Sequence, residues 1–103
     1  MYADIGEDME EIEERLNRYL EITEKALHKA KIAIPQTGSL YKQAEDFLDM
    51  ANRYYEDAKY FKAQNKPVTA LAAVTYAHAW LDIGARLGLF DVDKDYILFT
   101  LSK

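Results

Sequence analysis

The stretch from Val68 to Phe90, VTALAAVTYAHAWLDIGARLGLF, decides the fold. It is about the length of a membrane span. But His78, Asp82 and Arg86 interrupt it, many of its apolar residues are alanines, and charge in mid-bilayer is costly. It therefore reads as a helix buried inside a soluble bundle, running from about Pro67 to Leu87. Proline is well tolerated in a first helical turn, and Gly88 suits the position just past the end. Val68, Leu71, Ala72, Val74, Ala77, Trp80, Leu81, Ile83, Ala85 and Leu87 leave little polar face. A helix apolar nearly all round is expected to be buried on most sides. Asp82 and Arg86, four residues apart, are placed to pair on its remaining polar strip.

Upstream, Gln64-Asn65-Lys66 is a short loop, and a second helix is expected from Leu40 to about Ala63. Its apolar stripe is Leu40, Ala44, Phe47, Leu48, Ala51, Tyr54, Tyr55, Ala58 and Tyr60 or Phe61. Ser39 is the expected N-cap, following the turn residues Gln36, Thr37 and Gly38. The first helix spans about Glu7 to Ala33 and is ended by Pro35, which lacks an amide donor and disfavours helix before it. Ile5, Met9, Ile12, Leu16, Tyr19, Thr23, Ala26 and Ala30 alternate in steps of four and three, a heptad seam with one polar member, Thr23. The acidic run Glu7 to Glu14 suits the positive end of the helix dipole. Downstream, Asp91 to Lys103 is an apolar tail whose stretch Tyr96 to Leu101 is strand-like or extended packing material.

These elements predict an all-α fold: a three-helix up-down-up antiparallel bundle with an extended apolar C-terminal tail, one domain over residues 1–103. The chain has 103 residues, 50% apolar and 30% charged, the makeup of a folded protein. Two neighbours cannot surround the third helix. The tail, a second copy of the chain, or both must cover it, so a homodimer has a physical motive.

Charge and composition narrow the function. The net charge is −5, and residues 1–34 alone hold 9 acids against 5 bases. Nucleic-acid binding relies on Lys and Arg neutralising phosphates, so this balance disfavours it. Arg53, Lys59, Lys62 and Lys66 lie close together, but Glu56 and Asp57 break the run, as on a solvated helix face. The absence of cysteine removes thiol chemistry, disulfides and iron–sulfur clusters. Met1 to Gly6 is polar and then acidic, opposite to a secretory signal, and the expected compartment is the cytoplasm.

A family pattern lies in the same deciding stretch. Tyr76, Ala77, Trp80, Leu81, Asp82, Gly84, Leu87 and Gly88 form a Tyr-Ala-x-x-Trp-Leu-Asp-x-Gly-x-x-Leu-Gly pattern, preceded by MANRYYEDAKYF from Met50 to Phe61. Together these resemble the archaeal domain of unknown function 357 family, over roughly residues 10–101, and the tail Leu98-Phe99-Thr100 is compatible with it. Where similar proteins carry a glycine before the tryptophan, this chain has Ala79, which alters packing and not chemistry. The resemblance implies a small archaeal helical protein. It implies no activity, because the family has none assigned.

The residues that carry chemistry each have a plainer reading. His78 and Asp82 share a helix face and suit a metal pair or an oriented base, but three ligands are the usual need and no HExxH motif supplies them. His28 stands alone. Asp91, Asp93 and Asp95 imitate a calcium loop, but Tyr96 and Ser102 occupy the positions that need Gly and Glu. Tyr41, Tyr54, Tyr55, Tyr60 and Tyr76 offer rings for base stacking, yet no basic groove accompanies them. The Arg-x4-His motif of helical-bundle ribonucleases is absent: Leu20, Thr23, Ala58 and Asp91 stand five residues after the four arginines. Ala51, Ala58, Ala70 and Ala77 give the second and third helices a repeat-like hairpin, but a solenoid needs about three such units.

The sequence thus favours a noncatalytic protein with no cofactor and no metal. It is expected to self-associate and to bind another protein, with no membrane contact. Candidate interaction residues are Tyr76, His78, Trp80, Leu81, Asp82, Arg86 and Phe90. The alternatives are a nucleic-acid-associated accessory protein and, less favoured, a bundle that binds or transforms a small molecule.

Overall fold

The computed structural model describes residues 8–93, 95, 98 and 99. Three helices carry the fold: α1 (Met9–Lys29), α2 (Tyr41–Ala63) and α3 (Pro67–Arg86). Leu16, early in α1, clusters with Tyr55 and Ala58 of α2 and with Ala70 and Val74 of α3. Ala26 and Ala30 cluster instead with Ala44 and Ala51 and with Leu81 and Ala85. So α1 runs parallel to α3 and antiparallel to α2, the up-down-up bundle the sequence predicts. The contact between α2 and α3 is the most extensive. By contrast α1 packs chiefly on α3 and touches α2 little.

The α2/α3 contact follows from small residues spaced seven apart. Ala44, Ala51 and Ala58 on α2, and Ala70 and Ala77 on α3, are all fully buried, and Gly84 continues the second row. Side chains at the contact set the spacing of packed helices, so methyl-sized ones let two backbones approach closely. Each end of this hairpin is closed by a left-handed residue. Asn65 has φ 62°, with the Lys66 amide donating to the Phe61 carbonyl (2.9 Å). Gly88 has φ 78°, with the Leu89 amide donating to the Gly84 carbonyl (2.9 Å). Both are six-to-one closures of a helix end.

The boundaries of α1 and α2 correct the sequence reading in two places. Asp8 caps α1 by accepting from the Glu11 amide (2.9 Å), with Glu10 and Glu11 in the first turn; Ile5 and Glu7 lie outside the described residues. The helix does not reach Ala33, and Pro35 does not end it. The chain turns extended at Ala30, with ψ 125°. Lys31–Ile32 forms a strand, β1, antiparallel to β2 (Phe90–Asp91), with Lys31 opposite Asp91 and Ile32 opposite Phe90. The Ala33 amide adds a bond to the Leu89 carbonyl (2.8 Å). This long-range pairing satisfies backbone groups that another helical turn would otherwise use. Ser39 does not cap α2: the cap position is Leu40, without a side-chain bond.

The pairing strand sits at the very start of the tail. Phe90 lays its ring on Gly84, where any Cβ would overlap it. Beyond β2 the described part of the tail turns. Asp95 accepts from the Leu98 amide through its carboxylate (3.0 Å) and from the Phe99 amide through its carbonyl (3.1 Å). Of the strand-like stretch 96–101, only Leu98 and Phe99 are among the described residues. Leu89, Phe90, Val92 and Phe99 are all buried. The tail thus covers part of α3, but not all of it. Val68, Tyr76, Ile83 and Leu87 are 47–65% exposed, so α3 is open along one side, against the expectation of burial on most sides. No helix among the described residues is long and apolar enough to cross a membrane.

Candidate functional site

Two features of α3 gather the residues the sequence singled out. The first centres on His78, on the side of α3 that meets α1 and the tail. Its Nδ1 lies 3.0 Å from the Thr23 hydroxyl, and its Nε2 lies 2.7 Å from the Leu98 carbonyl oxygen. A carbonyl only accepts, so Nε2 carries the proton, and in the neutral ring Nδ1 then accepts from the Thr23 hydroxyl. The ring also lies near Phe99, with centroids 6.4 Å apart. One imidazole therefore ties together α1, α3 and the tail.

This arrangement explains the polar member of the α1 seam. Thr23 is completely buried. A hydroxyl placed there without a partner costs about 1–3 kcal/mol, and His78 removes that cost. With both ring nitrogens engaged, neither has a free lone pair for a metal or for a substrate proton. Asp82 approaches His78 (Oδ1 to Nε2, 3.6 Å), and no Asp82–Arg86 ion pair is found among the described residues. No group of three or more His, Cys, Asp or Glu suited to a metal ion occurs among the described residues.

The second feature is the open side of α3. Tyr76, Trp80, Ile83 and Leu87 follow one another in steps of four, three and four, which puts them on one face. Tyr76 and Ile83 are each 47% exposed and Leu87 is 65% exposed. Aromatic residues of α2 flank this stripe. Phe47 meets Trp80 edge-on at 5.0 Å and Tyr54 meets Tyr76 at 4.6 Å, while Tyr76 and Trp80 lie 5.9 Å apart. Edge-to-face pairs of this kind contribute about 0.5–1.5 kcal/mol beyond their buried area. The Trp80 indole nitrogen is buried without a hydrogen-bond acceptor among the described residues.

The predicted interaction residues thus divide. Tyr76 and Arg86 are exposed, Trp80, His78 and Asp82 are half-buried, and Leu81 and Phe90 are in the interior. The structure also brings in Thr23, Phe47, Tyr54, Ile83 and Leu87. Ile83 and Leu87 were legible as a continuation of the heptad steps from Tyr76. Thr23 was visible as the odd polar member of its seam, but its partner, 55 residues away in the chain, was not.

The other candidates resolve into local roles. Arg53 pairs with Asp49 at 2.8 Å and Lys59 with Glu56 at 3.2 Å, so two of the four clustered bases are neutralised on their own helix. Asp91 accepts from the Asp93 amide (3.0 Å) and Asp95 caps the turn to Leu98, the ordinary work of aspartates in turns. Tyr55 is buried and Tyr54 half-buried, whereas Tyr60 and Tyr76 are exposed.

A family model described as "Protein of unknown function (DUF357)" matches residues 18–90, from the third turn of α1 to the Phe90 that seats on Gly84. No curated protein and no solved structure matches the chain.

Proposed function

The chain belongs to the DUF357 family of proteins of unknown function, and we propose that it acts without chemistry of its own, by pairing with a second copy through the open side of α3. The observation that carries this reading is the heptad-spaced stripe of exposed Tyr76, Ile83 and Leu87 around half-buried Trp80. Heptad steps of large apolar residues are what one helix offers to another. At 20 residues, α3 is about 30 Å long. The stripe from Tyr76 to Leu87 covers about 17 Å of that length, so burying the roughly 1,200–2,000 Å² of a stable pair would draw in its aromatic flank on α2. Within α3 only Asp82 and Arg86 carry fixed charge, so no like-charge barrier opposes self-pairing.

The pair would in turn present its surfaces to a further protein partner, in the cytoplasm of an archaeal cell, with the whole chain folding as one domain. The engagement of both His78 nitrogens supports a noncatalytic role. The self-paired arginine and lysine of α2 argue against the nucleic-acid alternative, as does the acidic balance of the chain.

Sedimentation equilibrium from micromolar to millimolar protein tests the reading. A dimer is expected for the natural chain, and a monomer of unchanged helicity for Ile83→Asp. A natural chain that stays monomeric at the highest concentration overturns it, as does an Ile83→Asp variant that still dimerises.

A further inference from the structure

The open side of α3 also sets the orientation of the pair, an inference that rests on the self-pairing reading above. Tyr76, Trp80, Ile83 and Leu87 are spaced four, three and four, so the stripe reads the same from either end. Its two halves differ in shape. The rings of Tyr76 and Trp80 occupy one half, and the aliphatic Ile83 and Leu87 occupy the other. Side chains at a contact set how closely two helices approach. A parallel pair would stack ring on ring in one half and aliphatic on aliphatic in the other, which wedges the axes apart. An antiparallel pair, turned about the point midway between Trp80 and Ile83, sets each ring against an aliphatic side chain and keeps the spacing even.

Two further residues favour the antiparallel order. Leu40, at the start of α2, is 53% exposed, and Leu87 is 65% exposed. Phe47 meets Trp80 edge-on, and each leucine lies seven residues from its aromatic toward the end remote from the hairpin loop, so the two leucines come level. Together they widen the aliphatic end of the open side into a seat for a ring. Arg86 is the second residue. It is exposed, and no ion pair joins it to another described residue. In a parallel pair the two copies of Arg86 would meet at one level, like charge beside like. In the antiparallel pair the helical rise puts about 14 Å between their levels, beyond the roughly 8 Å screening length at physiological salt. Each Tyr76 ring then lies within one residue's rise of the partner's Arg86. A guanidinium is attracted to an aromatic face even where both are exposed to water.

We propose that two copies of the chain pair with their α3 helices antiparallel, about a two-fold axis between Trp80 and Ile83. Leu40 and Leu87 of each copy receive the partner's Tyr76, and Trp80 packs against the partner's Ile83. Arg86 lies over the ring of the partner's Tyr76. Each Tyr76 site is therefore complete only when the second copy is present.

The chain has no cysteine, so one introduced thiol carries a probe at a single place. The test is electron–electron double resonance on the full chain with a nitroxide at Lys66→Cys, an exposed position at the start of α3 that makes no side-chain cap bond. The antiparallel pair should give a label-to-label distance of about 45–50 Å from the helical rise. A distance shorter than about 35 Å overturns the orientation and leaves self-pairing standing. Protein that sediments as a monomer and shows no intermolecular distance overturns both. Sedimentation of variants tests the contact itself. Arg86→Gln should weaken dimerisation about threefold, and should have no effect in a Tyr76→Leu background. Arg86→Gln that leaves the dimer unchanged or tightens it, as relief of a parallel like-charge contact would, overturns the proposal, as does an effect that persists in full with Tyr76→Leu.

Discussion

The two sides of α3 are built in opposite senses. The packed side holds Ala70, Val74, Ala77, Leu81, Gly84 and Ala85, mostly small residues and all buried. The open side holds Tyr76, Trp80, Ile83 and Leu87, mostly large, of which all but Trp80 are at least 47% exposed. Counting apolar residues does not distinguish the two sides, since both are apolar. What distinguishes them is size. Alanine and glycine bury well where backbones meet closely, because they leave no bulk to hold the helices apart. Large residues gain more by burial, about 1.5–3 kcal/mol each, but only if a partner surface reaches them. On α3 the chain has covered the small side and left the large side available. The same logic explains the division of labour between α1 and α2. Close approach of α2 to α3 uses the alanine rows, whereas α1 brings the larger Leu16 and the polar Thr23 to the same core.

This contrast is open to direct attack. The largest effect is expected from Leu81→Ala, which empties a fully buried position on the packed side. It should cost about 3 kcal/mol in urea unfolding. A loss below about 1 kcal/mol would mean the packed side is not close-packed. Next comes Gly84→Ala. The methyl gains about 1 kcal/mol of helix propensity but must displace the buried Phe90 ring, and the net loss should be about 1–2 kcal/mol. Its signature is local: faster hydrogen exchange at the Ala33 amide, which bonds to the Leu89 carbonyl beside the strand pair. Unchanged exchange there would separate the Phe90 seat from the strand pairing. The smallest effect on folding is expected from Ile83→Ser on the open side, within about 0.5 kcal/mol for dilute protein. The same variant should abolish any rise of melting temperature with protein concentration, since only a partner makes that position costly to change.

Much of the architecture was legible because local rules set it. Pro67 and Gly88 bracket α3 to within a residue, and Gln64-Asn65-Lys66 marks the hairpin loop, since caps and turns depend on neighbours in the chain. The end of α1 was not legible. Residues 30–33 have acceptable helical composition, and Pro35 looked like the stop. The stop is instead a strand pairing with Phe90 and Asp91, a contact between segments about 60 residues apart. The His78 node was half legible. A histidine near an aspartate on one helix face was visible, but that its nitrogens go to Thr23 and to the Leu98 carbonyl depends on how α1 and the tail dock. Of the calcium-like aspartates, Asp91 and Asp95 accept from amides two and three residues on, but Asp91 also lies in β2 and Asp95 also meets Lys29 of α1 at 3.3 Å, which only the tertiary structure shows.

By itself, then, the amino-acid sequence determined that three helices form and roughly where, that they pack as a bundle, and that α3 carries more apolar surface than two neighbours can cover. Periodicity, capping residues and charge placement act over one or two turns, and they are written in the chain directly. Only the tertiary structure decided which side of α3 is covered, where α1 gives way to a strand, and that His78 serves as a three-way tie. Those features depend on distances between residues far apart in the chain, and such distances are set by the spacing and tilt of packed helices, which no local pattern encodes.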